Sequence, residues 1–140
     1  ADTEGYRGAD SGKGSAILFL ADSLVERMEE LAEPLESGRL LLVSEYGWDL
    51  PFSVGRAHSR NRLIHAMGQK VLVAQSDYGT GGTWSGVMEN LKAGWSPVFM
   101  CSEEPQDPGT RGLLERGCCP VKTAELAALD ALGAEQMRMF

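Results

Sequence analysis

Short, continuously apolar runs that alternate with stretches of helical period are what most constrain this chain. The runs occupy residues 15–21, 40–44, 71–74 and 97–101, with a shorter one at Pro120 and Val121. Runs of this length are strands covered on both faces, and strands separated by helices pair in parallel. The pattern therefore predicts an α/β fold: a parallel sheet with helices on both faces.

The helical segments carry their own signals. Ser23 followed by Glu26 reads as a capping box, and Leu24, Val25, Met28, Leu31, Ala32 and Leu35 then fall on one face until Gly38 stops the helix. A helix is predicted from Arg60 to Gly68, another from the 79–83 turn to about Ala93 with Gly94 as its C-cap, a short one over 109–117, and a last one from Thr123. Residues 1–14 have weak helical character and read as the end of a helix whose preceding strand is absent, or as a tag remnant. The regular domain is residues 15–140.

At 140 residues, 43% hydrophobic and 24% charged, the chain suits one domain with a real core. Its longest apolar run, residues 16–21, is far too short to cross a bilayer, so no membrane association is expected. Cys101, Cys118 and Cys119 lack the spacing of a metal site or a disulfide framework. Cytoplasmic location follows as the expectation, with Cys118 and Cys119 serving packing. His58 and His65 stand seven apart on one predicted helix, but no third ligand is near, so zinc is not expected, nor any other cofactor.

Charge is segregated. The net charge is −7, and eight acids against two bases fall between Ala21 and Leu50. Between Gly55 and Lys70 stand Arg56, Arg60, Arg62 and Lys70 without an acid. Such a distribution places a basic patch on an acidic body, suited to a local phosphate contact; a solvated acidic helix beside a basic one accounts for it equally well.

The stretch 57–94 concentrates the candidate chemistry. Gly79, Thr80, Gly81, Gly82 and Thr83 form a glycine-rich turn opening a helix, where backbone can approach a ligand and unpaired N–H groups favour an anion. Arg60 and Arg62, flanking Asn61 one helix away, would supply countercharge. The loop before that helix is long and aromatic, and Trp48 and Phe52 could stack on bases. Packing at the core's rim is the plainer reading, favoured for Phe52, while for Trp48 stacking and packing are evenly balanced.

Several spaced motifs resemble the DNA-processing protein A (DprA, or Smf) family. Ala1-Asp2 with Ala9 and Gly12 is similar to its A-D-x-x-A-H-x-x-A-L-x-x-G helix; Leu42-Val43-Ser44-Glu45-Tyr46 to L-L-S-E-Y; Arg60-Asn61-Arg62-Leu63-Ile64 to R-N-R-I-I. Gly81-Gly82-Thr83 stands where the family has S-G-S, and Gly109-Thr110, Leu113-Leu114 and Gly117-Cys118 resemble its closing G-T-N-x-L-I-x-x-G-A. The resemblance reaches to about Thr123. It implies a Rossmann-like three-layer sheet that binds single-stranded DNA or a nucleotide without covalent catalysis, in recombination or transformation, with a RecA-type recombinase as partner. By position, Arg56, Arg60, Asn61, Arg62 and the 79–83 turn would line the phosphate site.

The chain also departs from that pattern. Ala57-His58 replaces the Phe-Pro before R-N-R, Trp95 replaces an arginine, and Tyr6 replaces the histidine of the first motif. The family's first strand and its S-G-G-A-x-G loop would precede Ala1. A chain without them is expected to show a bare edge at the 17–20 strand, which a homodimer would cover. Two other functions fit the same sheet. Nucleotide phosphoribohydrolases of the LOG type carry P-G-G-x-G-T-x-x-E, superficially similar at Gly81-Gly82-Thr83, but Gly86 stands where the glutamate belongs. A nucleotide-sensing module is the third, and no G-x-G-x-x-G follows a strand to support a dinucleotide.

Overall fold

The structure, a computed structural model, describes residues 2–128, with side chains from residue 4 onward. The chain divides into two compact units, Ala1–Arg60 and Asn61–Phe140. Among the described residues every strand pair is parallel, as the alternating pattern predicts.

The first unit holds α1 (Asp2–Ser11), β1 (Ala16–Leu20), α2 (Leu24–Glu30), α3 (Ala32–Glu36), β2 (Leu40–Ser44) and the opening turns of α4 (Val54–Met67). β1 and β2 pair in register from Ala16 opposite Leu40 to Leu20 opposite Ser44. Arg39, at the mouth of β2, reaches Asp10 of α1 at 2.7 Å and Glu33 of α3 at 3.2 Å.

Three expectations change here. The predicted single helix over 24–35 breaks at Leu31 (φ −115°, ψ 27°). Pro34 explains it: proline lacks the N–H an interior turn needs and fits only the first turn of a helix, so a new helix begins ahead of it. Ser23 occupies the cap position of α2, but its side chain makes no capping bond. The Trp48 carbonyl accepts from the N–H groups of Leu24 (2.9 Å) and Val25 (3.4 Å) instead. Nor is β1 buried: Ile17 and its partner Leu41 are 53% and 54% exposed. Alternate side chains point to opposite faces, and these two share the exposed one.

The second unit continues α4 and adds β3 (Val71–Val73), α5 (Gly81–Ala93), β4 (Val98–Cys101), α6 (Pro108–Leu114) and β5 (Cys119–Val121). Its strands lie in the order β3-β4-β5. β4 is the buried centre: Val98, Phe99 and Met100 are almost wholly enclosed, and the core continues through Val73, Val87, Leu113 and Cys118. β3 is shorter than predicted, and Leu72 faces solvent. Gly94 caps α5 in the left-handed conformation (φ 67°), donating to Asn90 O at 2.7 Å. Asp107 caps α6, accepting from Thr110 N at 3.0 Å and Thr110 Oγ1 at 2.7 Å. These bonds hold the Asp107 carboxyl below the usual carboxylate range, the hydroxyl contributing most. Burial pushes the Cys118 thiol up to about 11, with Cys119 adding to the shift, so it packs as a neutral group. The expected terminal helix is a 3-10 turn over Thr123–Ala128, and its remainder lies outside the described residues.

Candidate nucleic-acid interface

In the first unit, α4 starts six residues earlier than the predicted Arg60. Ser53 starts it, its Oγ accepting from Arg56 N at 3.1 Å and its carbonyl from Ala57 N at 3.0 Å. Arg56 therefore lies in the first turn. Its guanidinium donates to the Pro51 carbonyl and stacks 5.8 Å from the Tyr46 ring centroid, which ties it to its own loop.

Arg60, two turns into the unit's part of α4, donates from Nη1 to the Phe19 carbonyl at 2.8 Å, at the carboxyl end of β1. Loops and strand ends on that side are where open parallel sheets carry ligands. A cleft of about 410 Å³ opens there, walled by Tyr6, Arg7, Phe19, Arg27, Phe52 and Arg60 among others. Arg27 is fixed by Glu30 (2.7 Å) and Asp22 (3.2 Å), both of which hold its pKa up, with Glu30 first. The walls carry three guanidinium groups and two carboxylates, Asp22 and Glu30, both bound to Arg27, while Arg7 pairs with Glu4 at 2.6 Å. Phe52 is 62% exposed and shares the cleft with Arg60. Trp48 is more exposed still, at 68%, and is not among the walls; its fixed contribution is the carbonyl that caps α2.

The other candidates lie in the second unit. Gly79 (φ 70°) and Gly81 (φ 82°) take left-handed conformations closed to most side chains, which is why the turn is built of glycine. Thr80 stands at the N-cap of α5 in extended conformation, and its side chain makes no capping bond. Thr83 is exposed in the first turn. Asn61 is held against this turn, its Nδ2 donating to Gly82 O at 3.3 Å. A Cβ at Gly82 would stand 3.1 Å from that nitrogen, and one at Gly86 3.0 Å from His65 Nε2. Two glycines a turn apart let this end of α4 lie close on α5. Gly86, where a phosphoribohydrolase needs glutamate, thus serves helix packing.

Arg62 turns to α5 rather than to the glycine turn, pairing through Nε with Glu89 at 3.0 Å; both side chains are about half exposed. His65 is buried, whereas His58 is exposed. Asn90 Oδ1 accepts from the Ser96 N–H (3.1 Å), so its Nδ2 must donate to His65 Nδ1 (3.1 Å), and the imidazole proton sits on Nε2. Burial lowers the His65 pKa, opposed by the charge of Glu89. Among the described residues no three His, Cys, Asp or Glu side chains lie close enough together to hold a metal ion.

The structure thus brings Asn61 to the glycine turn and Phe52 to Arg60. Tyr6, Arg7 and Arg27 join the cleft without having been singled out from the sequence. The signal was available for Tyr6, which stands beside Arg7 at the position where the resemblance has its helix histidine.

Parallel strands joined through helices, with candidate ligand groups at carboxyl strand ends, define a Rossmann-like α/β protein. The chain belongs to the DNA recombination-mediator protein A family, whose profile matches residues 1–128. It is similar in structure to DNA processing protein A from Helicobacter pylori, with a TM-score of 0.64 and 25% identity, over 83% of this chain and 55% of that one. That protein has a single-stranded DNA binding mode described as unique. The present chain therefore spans little more than half its length. No curated protein matches the chain. Among the described residues no helix is long and apolar enough to cross a membrane.

Proposed function

We propose that this chain binds single-stranded DNA, or a nucleotide-like anion, as a non-catalytic module of DNA processing. The observation that carries the reading is the cleft at the end of β1, where Arg60 and Phe52 stand together with Tyr6, Arg7 and Arg27. Guanidinium forks suit phosphate oxygens, and exposed rings suit bases irrespective of sequence. The 79–83 turn offers backbone donors for a phosphate as a separate contact. Family membership supports the same reading, together with a cytoplasmic setting and a RecA-type recombinase as partner, and a second copy of the chain would pair with the edge of β1.

Fluorescence anisotropy of a labelled oligothymidylate tests it. Phosphate contacts predict that affinity falls linearly with the logarithm of salt concentration, with a slope of about −0.7 per contact on single strands. Arg7→Ala and Phe52→Ala, both at exposed positions of the cleft, are expected to weaken binding. Unchanged affinity in both, or a salt-independent affinity in the parent, refutes the cleft as the binding surface.

A further inference from the structure

We propose that Tyr78 is a base-stacking platform, a contact that neither the sequence motifs nor the cleft contains. The inference rests on the single-stranded DNA reading and names a subsite for it in the second unit. Tyr78 follows β3, on the carboxyl side of the β3-β4-β5 sheet, and the residue is 55% exposed. It is nevertheless held from several directions. Trp84, itself buried, lies 5.0 Å away between centroids at 54°. The Arg116 guanidinium sits 5.6 Å from the Tyr78 centroid and 5.0 Å from that of Trp84, anchored by a 2.8 Å bond from Nη1 to Gly112 O.

Two glycines of α6 make this seat. A Cβ at Gly112 would stand 2.6 Å from Tyr78 Cε2, and one at Gly109 would stand 1.7 Å from Ser76 O. The helix is pressed so closely onto residues 76–78 that only glycine fits at either contact. A tyrosine held only for packing would gain by turning its ring inward. Here the ring is fixed in place while the residue as a whole stays more than half exposed. Such an aromatic loses little further entropy when a flat partner settles on it, and every nucleobase offers that π-face. Arg116 completes the fit: one N–H is used on Gly112, and a guanidinium has others for the phosphate linking the stacked nucleotide.

The test compares oligothymidylate with an abasic oligomer of equal length and charge, using the full 140-residue chain. The parent is expected to prefer the base-bearing strand. Tyr78→Phe keeps that preference, whereas Tyr78→Leu weakens binding of oligothymidylate by about 5- to 150-fold, the range of one aromatic–base stack, and leaves the abasic oligomer unaffected. Photocrosslinking of the unaltered chain to a bromodeoxyuridine-bearing oligomer, mapped by mass spectrometry, gives a readout independent of any effect of substitution on folding. A crosslink at Tyr78 supports the assignment. Equal affinity in Tyr78→Leu, or crosslinks confined to residues away from 78, overturns it. Failure of the parent to bind either oligomer would instead overturn the reading of the cleft.

Discussion

Replacing Asn90 by alanine is expected to be the most damaging single change at the α4–α5 contact, and its size can be worked from the hydrogen bonds. Asn90 is fully buried and its side chain makes three of them: to His65 Nδ1, to Ser96 Oγ and from Ser96 N. At about 1 kcal/mol net for each, alanine loses about 3 kcal/mol, and the orphaned His65 Nδ1 and Ser96 N–H bring the total to about 4 kcal/mol. For a chain of this size that corresponds to a fall in Tm of roughly 10–15 °C. The pH dependence carries a sharper signature. Burial lowers the His65 pKa in the folded state, so the unfolded chain binds its proton more readily. Stability is then fully present above the unfolded value of about 6.5 and is lost as pH falls through the folded value. Asn90→Ala removes the donor that opposes protonation and flattens that loss. Asn90→Asp puts a carboxylate against Nδ1, raises the folded pKa and reverses the sign, so that this variant gains stability as pH falls. Urea unfolding followed by circular dichroism at about pH 7.5 and about pH 5.5 measures all three proteins, on either side of the unfolded histidine pKa. An alanine variant within about 1 kcal/mol of the parent, or an aspartate variant with the parent's pH trend, refutes the donor–acceptor assignment.

Other changes test neighbouring contacts. Gly112→Ala drives a Cβ against the Tyr78 and Trp84 rings and is expected to cost about 1–3 kcal/mol. Gly109→Ala meets the Ser76 carbonyl, which as backbone cannot rotate away, so its loss in thermal melting should be the larger of the two. Asp107→Ala removes the α6 cap and is expected to cost about 1 kcal/mol at neutral pH. Because the cap holds the Asp107 pKa down, that difference shrinks as acid protonates the folded carboxyl, and denaturant unfolding at low pH should show the two proteins converging. Glu89→Gln frees Arg62 from an exposed pair worth no more than about 1 kcal/mol, so stability should barely change. The freed guanidinium should tighten oligonucleotide binding and steepen the salt slope by about 0.7; an unchanged slope would remove Arg62 from the interface.

What the sequence disclosed and what it withheld follow from the range of the forces involved. The α/β class was readable because continuous apolar runs such as 98–101 encode burial on two faces locally. So were Gly94 at the end of α5 and Gly79 and Gly81 of the 79–83 turn, whose left-handed conformations are properties of single residues. Pro34 announced the break at Leu31 and Ser53 the start of α4, both by local rules that the stronger apolar period outweighed. Capping of α2 by Trp48 O was not readable, since a carbonyl twenty-odd residues away carries no sequence signature. The histidine pair shows the same boundary. Seven-residue spacing puts His58 and His65 on nearly one helix face, yet only tertiary packing decides that His65 is enclosed beside Asn90 and His58 is wet.

The Arg-Asn-Arg motif gains a physical meaning from this boundary. Successive helix residues are about 100° apart, so Arg60 and Arg62 diverge by roughly 200° and cannot act as two tines of one fork. The three residues divide the labour: Arg60 is fixed at the end of β1 by the Phe19 carbonyl, Asn61 secures Gly82, and Arg62 is held by Glu89. Only a helix can present three consecutive side chains in three directions while holding each in register with its own partner. A lysine at position 60 would keep the charge but lose the planar fork that can bond a strand carbonyl while still facing a phosphate. Each residue of the motif therefore has a structural contact of its own, whatever it contributes to a ligand. Binding data on variants of Arg60 and Asn61 have meaning only beside their stabilities, whereas the Arg62 pair with Glu89 is exposed and a substitution there should leave stability almost unchanged.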